Sequence, residues 1–134
     1  MGEPVRAMED AHKFMTTLAA RGALSDALRV GEMLDELWDE GVDVDNEERA
    51  ITWLRMSAYA FGDGDSDKSN RISSRVAQWA KQIGHELLYA DALFQLGLSL
   101  SVQGQTSNAV TAMERGLRGV KSSWLDKHPN HRRL

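Results

Sequence analysis

Three carboxylates alternate in the segment Gly62-Asp63-Gly64-Asp65-Ser66-Asp67-Lys68-Ser69-Asn70, the spacing with which a calcium-binding loop begins. Counted from Asp63, such a loop needs a glycine where Lys68 stands and a bidentate glutamate where Ser74 stands. The segment therefore reads as an exposed turn that caps the next helix, with no cation assigned to Asp63, Asp65 and Asp67. His85-Glu86-Leu87-Leu88-Tyr89 opens like a helix that grips zinc through two histidines one turn apart, but Tyr89 replaces the second ligand. With no cysteine in the chain, His12, His85, His128 and His131 would have to gather from distant segments to hold a transition metal. They read as solvated. No serine sits in a strand-to-helix elbow, and the glycines are spread at helix lengths instead of clustering into a phosphate loop. Glu32, Asp35, Glu36, Asp39 and Glu40 lie along the polar side of one helical segment and read as a solvated face, not as paired acid and base. The expectation is a protein that is not an enzyme and takes no metal or cofactor.

Composition narrows the partner class. The 134 residues carry a formal charge of −4 with basic residues scattered along the chain, which gives no electrostatic footprint for nucleic acid. Only Lys127-His128-Pro129-Asn130-His131-Arg132-Arg133 is locally basic. No run of eighteen apolar residues occurs and the start lacks a basic segment followed by an apolar one, so neither a membrane span nor a secretory leader is expected. Together with the absence of cysteine this makes the cytoplasm the expected compartment. At 42% apolar residues the chain can build a core without metal or disulfide staples.

The elements that carry these residues are delimited by glycine. Both prolines, Pro4 and Pro129, are near the ends, while Gly22, Gly41, Gly62, Gly84 and Gly104 recur about every twenty residues between amphipathic stretches. That rhythm predicts an all-α chain of six helices near 6–21, 25–39, 46–61, 69–83, 86–103 and 107–121. Asp45-Asn46-Glu47-Glu48 supplies a capping box for the third, and Ser25 and Thr106-Ser107-Asn108 offer polar caps for the second and sixth. Gly31, Gly97 and Gly116 fall inside helical stretches, where each costs about 1 kcal/mol relative to alanine unless close packing demands it.

Leu93-x-x-Leu96-Gly97-x-x-Leu100, then Gly104, Ala109-x-x-x-Met113 and Gly116-Leu117, resembles the tetratricopeptide repeat pattern of large residue, Leu-Gly, turn glycine, Ala and large residue. Ala11-x-x-Phe14-Met15-x-x-Leu18 with Gly22 and Ala27-x-x-x-Gly31 repeats it with Met15 at the small position. Trp53-x-x-Met56-Ser57-x-x-Ala60, Gly62 or Gly64, and Ser73-x-x-x-Ala77 form the middle copy. The period from Gly22 to Gly104 is about forty-one residues against a usual thirty-four, so the chain resembles a long-repeat variant of the kind found in bacterial regulators. The resemblance implies three stacked antiparallel hairpins in a right-handed solenoid over residues 1–121, followed by a C-terminal tail over 122–134.

In this family the first helix of each hairpin lines a concave groove. The resemblance therefore points to His12, Lys13, Leu54, Arg55, Phe94, Gln95 and Leu98 as candidates for contact with a protein or peptide partner. Phe94, Leu54 and Leu98 would be apolar residues on a wet face. His12 and Thr16 do not reproduce the lysine and asparagine clamp with which some members hold a C-terminal carboxylate. Repeat stacks also need a polar cap, and none is evident after residue 121, so the last hairpin is expected to be covered by Trp124 and Leu125, by another copy in a homo-oligomer, or by further sequence of a longer protein. The sequence thus supports a binding scaffold, the regulatory segment of a larger signalling protein by analogy with the regulators it resembles. A self-assembly domain is the alternative.

Overall fold

The computed structural model describes residues 2–42, 44–128 and 130, with side chains from residue 6 onward at the N-terminal end. Pro129, His131, Arg132 and Arg133 of the basic tail lie outside the described residues. Six α-helices make up the structure, and no strand occurs among the described residues: α1 Gly2–Ala20, α2 Leu24–Asp39, α3 Asn46–Gly62, α4 Ser66–Ile83, α5 Glu86–Val102 and α6 Thr106–Lys127. Each helix packs against its sequence neighbours, and α3 also touches α5.

Four of the five connections share one design. Gly22, Gly64, Gly84 and Gly104 adopt positive φ. The residue after each donates its N–H to a carbonyl near the preceding helix end: Ala23 to Leu18, Asp65 to Ala60, His85 to Ala80 and Gln105 to Leu100, all at 2.9 Å. This six-to-one bond closes a left-handed C-cap that only glycine enters without strain. The donor residue is at once the N-cap of the next helix, so no room remains for a separate start signal. That is why the expected caps at Ser25 and Thr106 are not used: Ser25 is already inside α2, Thr106 is the first residue of α6, and the N-cap positions Ala23 and Gln105 make no side-chain cap bond. Asp45 does cap α3, accepting from the Glu47 N–H at 3.0 Å. In the middle hairpin the turn glycine is Gly64; Gly62 instead ends α3 where a β-carbon would stand 2.7 Å from Leu24 Cδ1.

Three further boundaries move, the first being the start of α4 at Ser66, three residues before the expected 69, where Asp65 is the N-cap. Helix α1 starts at Gly2 because Pro4 falls in its first turn, where a missing N–H costs nothing. Helix α6 continues to Lys127, six residues past the expected end at 121, since no glycine or proline interrupts Ser122–Lys127 and the first restriction comes at His128, which precedes Pro129.

The core is built from small residues at close helix approaches. Ala50, Val76, Ala77, Ala80, Leu88, Ala92, Leu93 and Ala112 form its main cluster, edged by Trp53, Leu54, Trp79 and Leu96. Leu28, Met56 and Ala60 form a second one. At the small position of the sequence pattern the three segments use three solutions. In the last, Gly97 makes room for Met113, whose Cγ would lie 3.1 Å from an added β-carbon. In the first the pair is reversed: fully buried Met15 projects toward Gly31, where a β-carbon would meet Met15 Sδ at 3.3 Å and Met56 Cγ at 2.6 Å. In the middle, fully buried Ser57 bonds the carbonyl of Ser69 and its hydroxyl, both at 3.0 Å, while Ser73 donates to the same carbonyl at 2.8 Å. Every one of these buried hydroxyls is satisfied, which removes the penalty of a polar interior.

Candidate partner-binding surface

Helices α1 and α3 come together at a cleft of about 360 Å³ lined by Glu9, His12, Lys13, Glu48, Ile51, Thr52 and Arg55. Three candidates named from sequence, His12, Lys13 and Arg55, thus share one site although they come from helices that are not consecutive. Lys13, Arg55, Glu9 and Glu48 are exposed at its rim, with half-buried Ile51 and buried Thr52 below. The surface offers both signs of charge around a small apolar patch.

His12 is not a solvated histidine. Its Nε2 lies 2.7 Å from Thr52 Oγ1, its Nδ1 lies 3.1 Å from the Met8 carbonyl, and its ring stacks on Trp38 at 6.0 Å. The Met8 carbonyl can only accept, so Nδ1 must carry a proton. Thr52 has one hydroxyl proton and two neighbours, His12 Nε2 and the Glu48 carbonyl at 3.1 Å. With a neutral imidazole the hydroxyl donates to Nε2; with a doubly protonated ring Nε2 donates and the hydroxyl turns to Glu48. One rotor links the ring's charge to α3.

The other named candidates are placed elsewhere. Leu54 is half-buried against the main core cluster. Phe94 is half-buried, its ring lying where a β-carbon of Gly116 would be. Its apolarity is thus accounted for by packing on α6. Gln95 turns its amide oxygen inward, where no donor reaches it among the described residues. Leu98 stays 41% exposed on α5. Trp124 and Leu125 both lie on α6; Trp124 stacks on His128 with centroids 4.3 Å apart.

The expected solvated groups take on structural roles. His85 is the N-cap of α5, its Nδ1 accepting from the Leu88 N–H at 3.2 Å and its Nε2 facing Glu47 at 3.3 Å. Asp65 caps α4 by accepting from the Lys68 N–H, and Asp67 accepts from Gln103 Nε2. Among the described residues, no three His, Asp or Glu side chains converge as metal ligands do.

The acidic side of α2 is also not simply solvated. Asp35 Oδ1 accepts from Trp53 Nε1 at 2.7 Å and from Arg49 Nε at 3.0 Å; Asp39 pairs with the same guanidinium, and Glu32 pairs with Lys68. Arg49 and Arg75 both lie over the Trp53 ring, at 5.1 and 4.4 Å, where the cations meet its electron-rich face. Burial works against the charge on Arg49, but the hydrogen bonds to Asp39 and Asp35 outweigh it and hold its pKa above the usual arginine value. This cluster fastens α2, α3 and α4 and was not foreseen. The tryptophan in the repeat pattern was the available signal, because a buried indole N–H requires an acceptor.

Among the described residues no helix is long and apolar enough to cross a membrane. No family model, curated protein or solved structure matches the chain.

Proposed function

We propose that the chain is a binding module for a protein or peptide, built as a tetratricopeptide-like stack in which α1, α3 and α5 are the groove helices, and that it is not an enzyme. Sequential packing of six helices, the additional α3 to α5 contact and the close approach at Gly97 support the stacked arrangement. The observation that carries the binding reading is the α1–α3 cleft, which gathers His12, Lys13 and Arg55 beside Glu9 and Glu48. A segment of extended or helical chain with acidic and basic residues would find complementary partners there, while Ile51 offers a contact for one apolar side chain. A role as the regulatory segment of a larger cytoplasmic signalling protein is consistent with such a module.

Selection from a random peptide library on the immobilised chain tests this. Selected peptides should bind in solution and lose at least about tenfold in affinity on Lys13→Glu or Arg55→Glu, with helicity unchanged in circular dichroism. Failure to select any peptide, or binding indifferent to both changes, overturns the reading. Self-assembly through the last hairpin has an observation of its own, the outer face of α6.

A further inference from the structure

Val110, Leu117, Val120 and Trp124 on α6 are 50%, 61%, 40% and 47% exposed. With half-buried Met113 they recur at spacings of three, four, three and four residues, the heptad seam of a helix that pairs with another helix. The stripe extends for about 21 Å along α6 at 1.5 Å per residue. It flanks the side that α6 buries through Ala109, Ala112 and Gly116.

The first hairpin shows what such a face does in this fold. Aligning Ala27 of α2 with Ala109 of α6 places Leu28, Asp35 and Trp38 on Val110, Leu117 and Val120. On α2 all three meet α3: Leu28 packs with Met56 and Ala60, Asp35 bonds Trp53 and Arg49, and Trp38 lies under Arg49. On α6 the same positions are apolar where α2 has a carboxylate, and they face solvent.

Charge indicates the occupant. Glu114 and Lys121 flank the stripe on one side, both exposed and in no ion pair among the described residues. Seven residues apart, they are separated by about 10.5 Å along the helix and cannot pair with each other. We propose that α6 pairs with α6 of a second copy of this chain, antiparallel about a two-fold axis midway between Leu117 and Val120. In that register Leu117 meets Val120 of the other copy on both sides of the axis, and Trp124 meets Met113. The aliphatic stem of Lys127 covers Val110. Glu114 of each copy then faces Lys121 of the other, giving two symmetric ion pairs. A parallel pairing sets Glu114 and Lys121 against Ala109 and Gly116 of the other copy and makes none. The surface is separate from the α1–α3 cleft, and its failure would leave the groove reading untouched.

Sedimentation equilibrium of the 134-residue chain over a wide concentration range tests the pairing. The expected result is a monomer–dimer equilibrium that Leu117→Glu shifts at least about tenfold toward monomer, with helicity retained, and melting retained at concentrations where the parent is also monomeric, because the side chain is exposed. Glu114→Lys alone and Lys121→Glu alone, which place like charges opposite each other, should each weaken the dimer, and the double exchange should restore it. A chain monomeric at every concentration overturns the proposal, as do open-ended growth beyond the dimer, a dimer indifferent to Leu117→Glu, or a double exchange that fails to recover association.

Discussion

The ring of Phe94 occupies the space that a β-carbon on Gly116 would need: such a carbon would stand 2.6 Å from Phe94 Cε1. Glycine in mid-helix is tolerated here because the neighbouring helix fills its vacancy. Gly116→Ala gains the helix preference of alanine but drives a methyl into a rigid ring, so a net loss of about 1–3 kcal/mol is expected in urea unfolding. Gly119→Ala, with its nearest contacts at 3.7 Å, should gain up to about 1 kcal/mol. Phe94→Leu introduced into Gly116→Ala should recover part of the loss; equal effects at the two glycines would contradict this packing account.

Asp35 and Asp39 are one turn apart on α2 and bind the same arginine, yet their contributions should differ. Asp35 has a side chain 21% exposed and also accepts the Trp53 N–H, whereas Asp39 is 67% exposed. Asp35→Ala strands two donors in a half-buried site and should cost about 2 kcal/mol. Asp39→Ala removes a screened pair and should cost under about 0.5 kcal/mol. Chemical unfolding of both variants decides, and a larger loss at Asp39 would refute the assignment.

The Met8 carbonyl fixes the tautomer of His12. In its neutral form the ring should carry the proton on Nδ1, visible in the ¹⁵N shifts of a long-range nitrogen–proton correlation spectrum. Thr52→Val, which removes the Nε2 partner and keeps the shape, should leave that tautomer in place. A neutral ring protonated on Nε2 would show that the bond to α1's own backbone does not form.

Burial pushes the Tyr59 phenol up, against an opposing pull from Arg55. A pKa raised in the folded state means that the protonated ring contributes stability fully present below the unfolded tyrosine value and lost as the pH climbs through the higher folded value. The decline in urea midpoint above about pH 10 should therefore be shallower in Tyr59→Phe than in the parent chain. Parallel declines would place Tyr59 in water.

Where one residue type has a single physical use, the sequence is informative. Gly22, Gly84 and Gly104 mark turns because only glycine takes the left-handed cap cheaply, and Asp45 marks a helix start because its carboxylate suits the open N–H groups. Gly62 and Gly64 compete for one turn, and the choice depends on Leu24, a residue of another helix, which claims the space beside Gly62. Phe94 poses the same problem from the other side. The repeat resemblance assigned it to an open face, but the partner that receives it, Gly116, is twenty-two residues away. Asp35 and Glu36 are likewise indistinguishable by period, and only the approach of Trp53 and Arg49 from α3 singles out the first. His12, Lys13 and Arg55 were named together because the resemblance makes α1 and α3 equivalent helices, and the structure places all three around one cleft. Pairwise complementarity between helices is the part no single helix records.

Helix α1 supplies one fully buried side chain among the described residues, Met15, and none to either apolar cluster, whereas α3, α4 and α5 share the main one. Opening free energy should thus be lower for α1 than for the central helices α3, α4 and α5, and the α1 amides should exchange with solvent through a partial unfolding that leaves those helices intact. That detachment also dismantles the cleft, because Glu9, His12 and Lys13 leave with α1. A peptide bound between α1 and α3 would then be read first as slowed amide exchange in the opening helix, growing with the logarithm of ligand concentration, well before any shift in global melting.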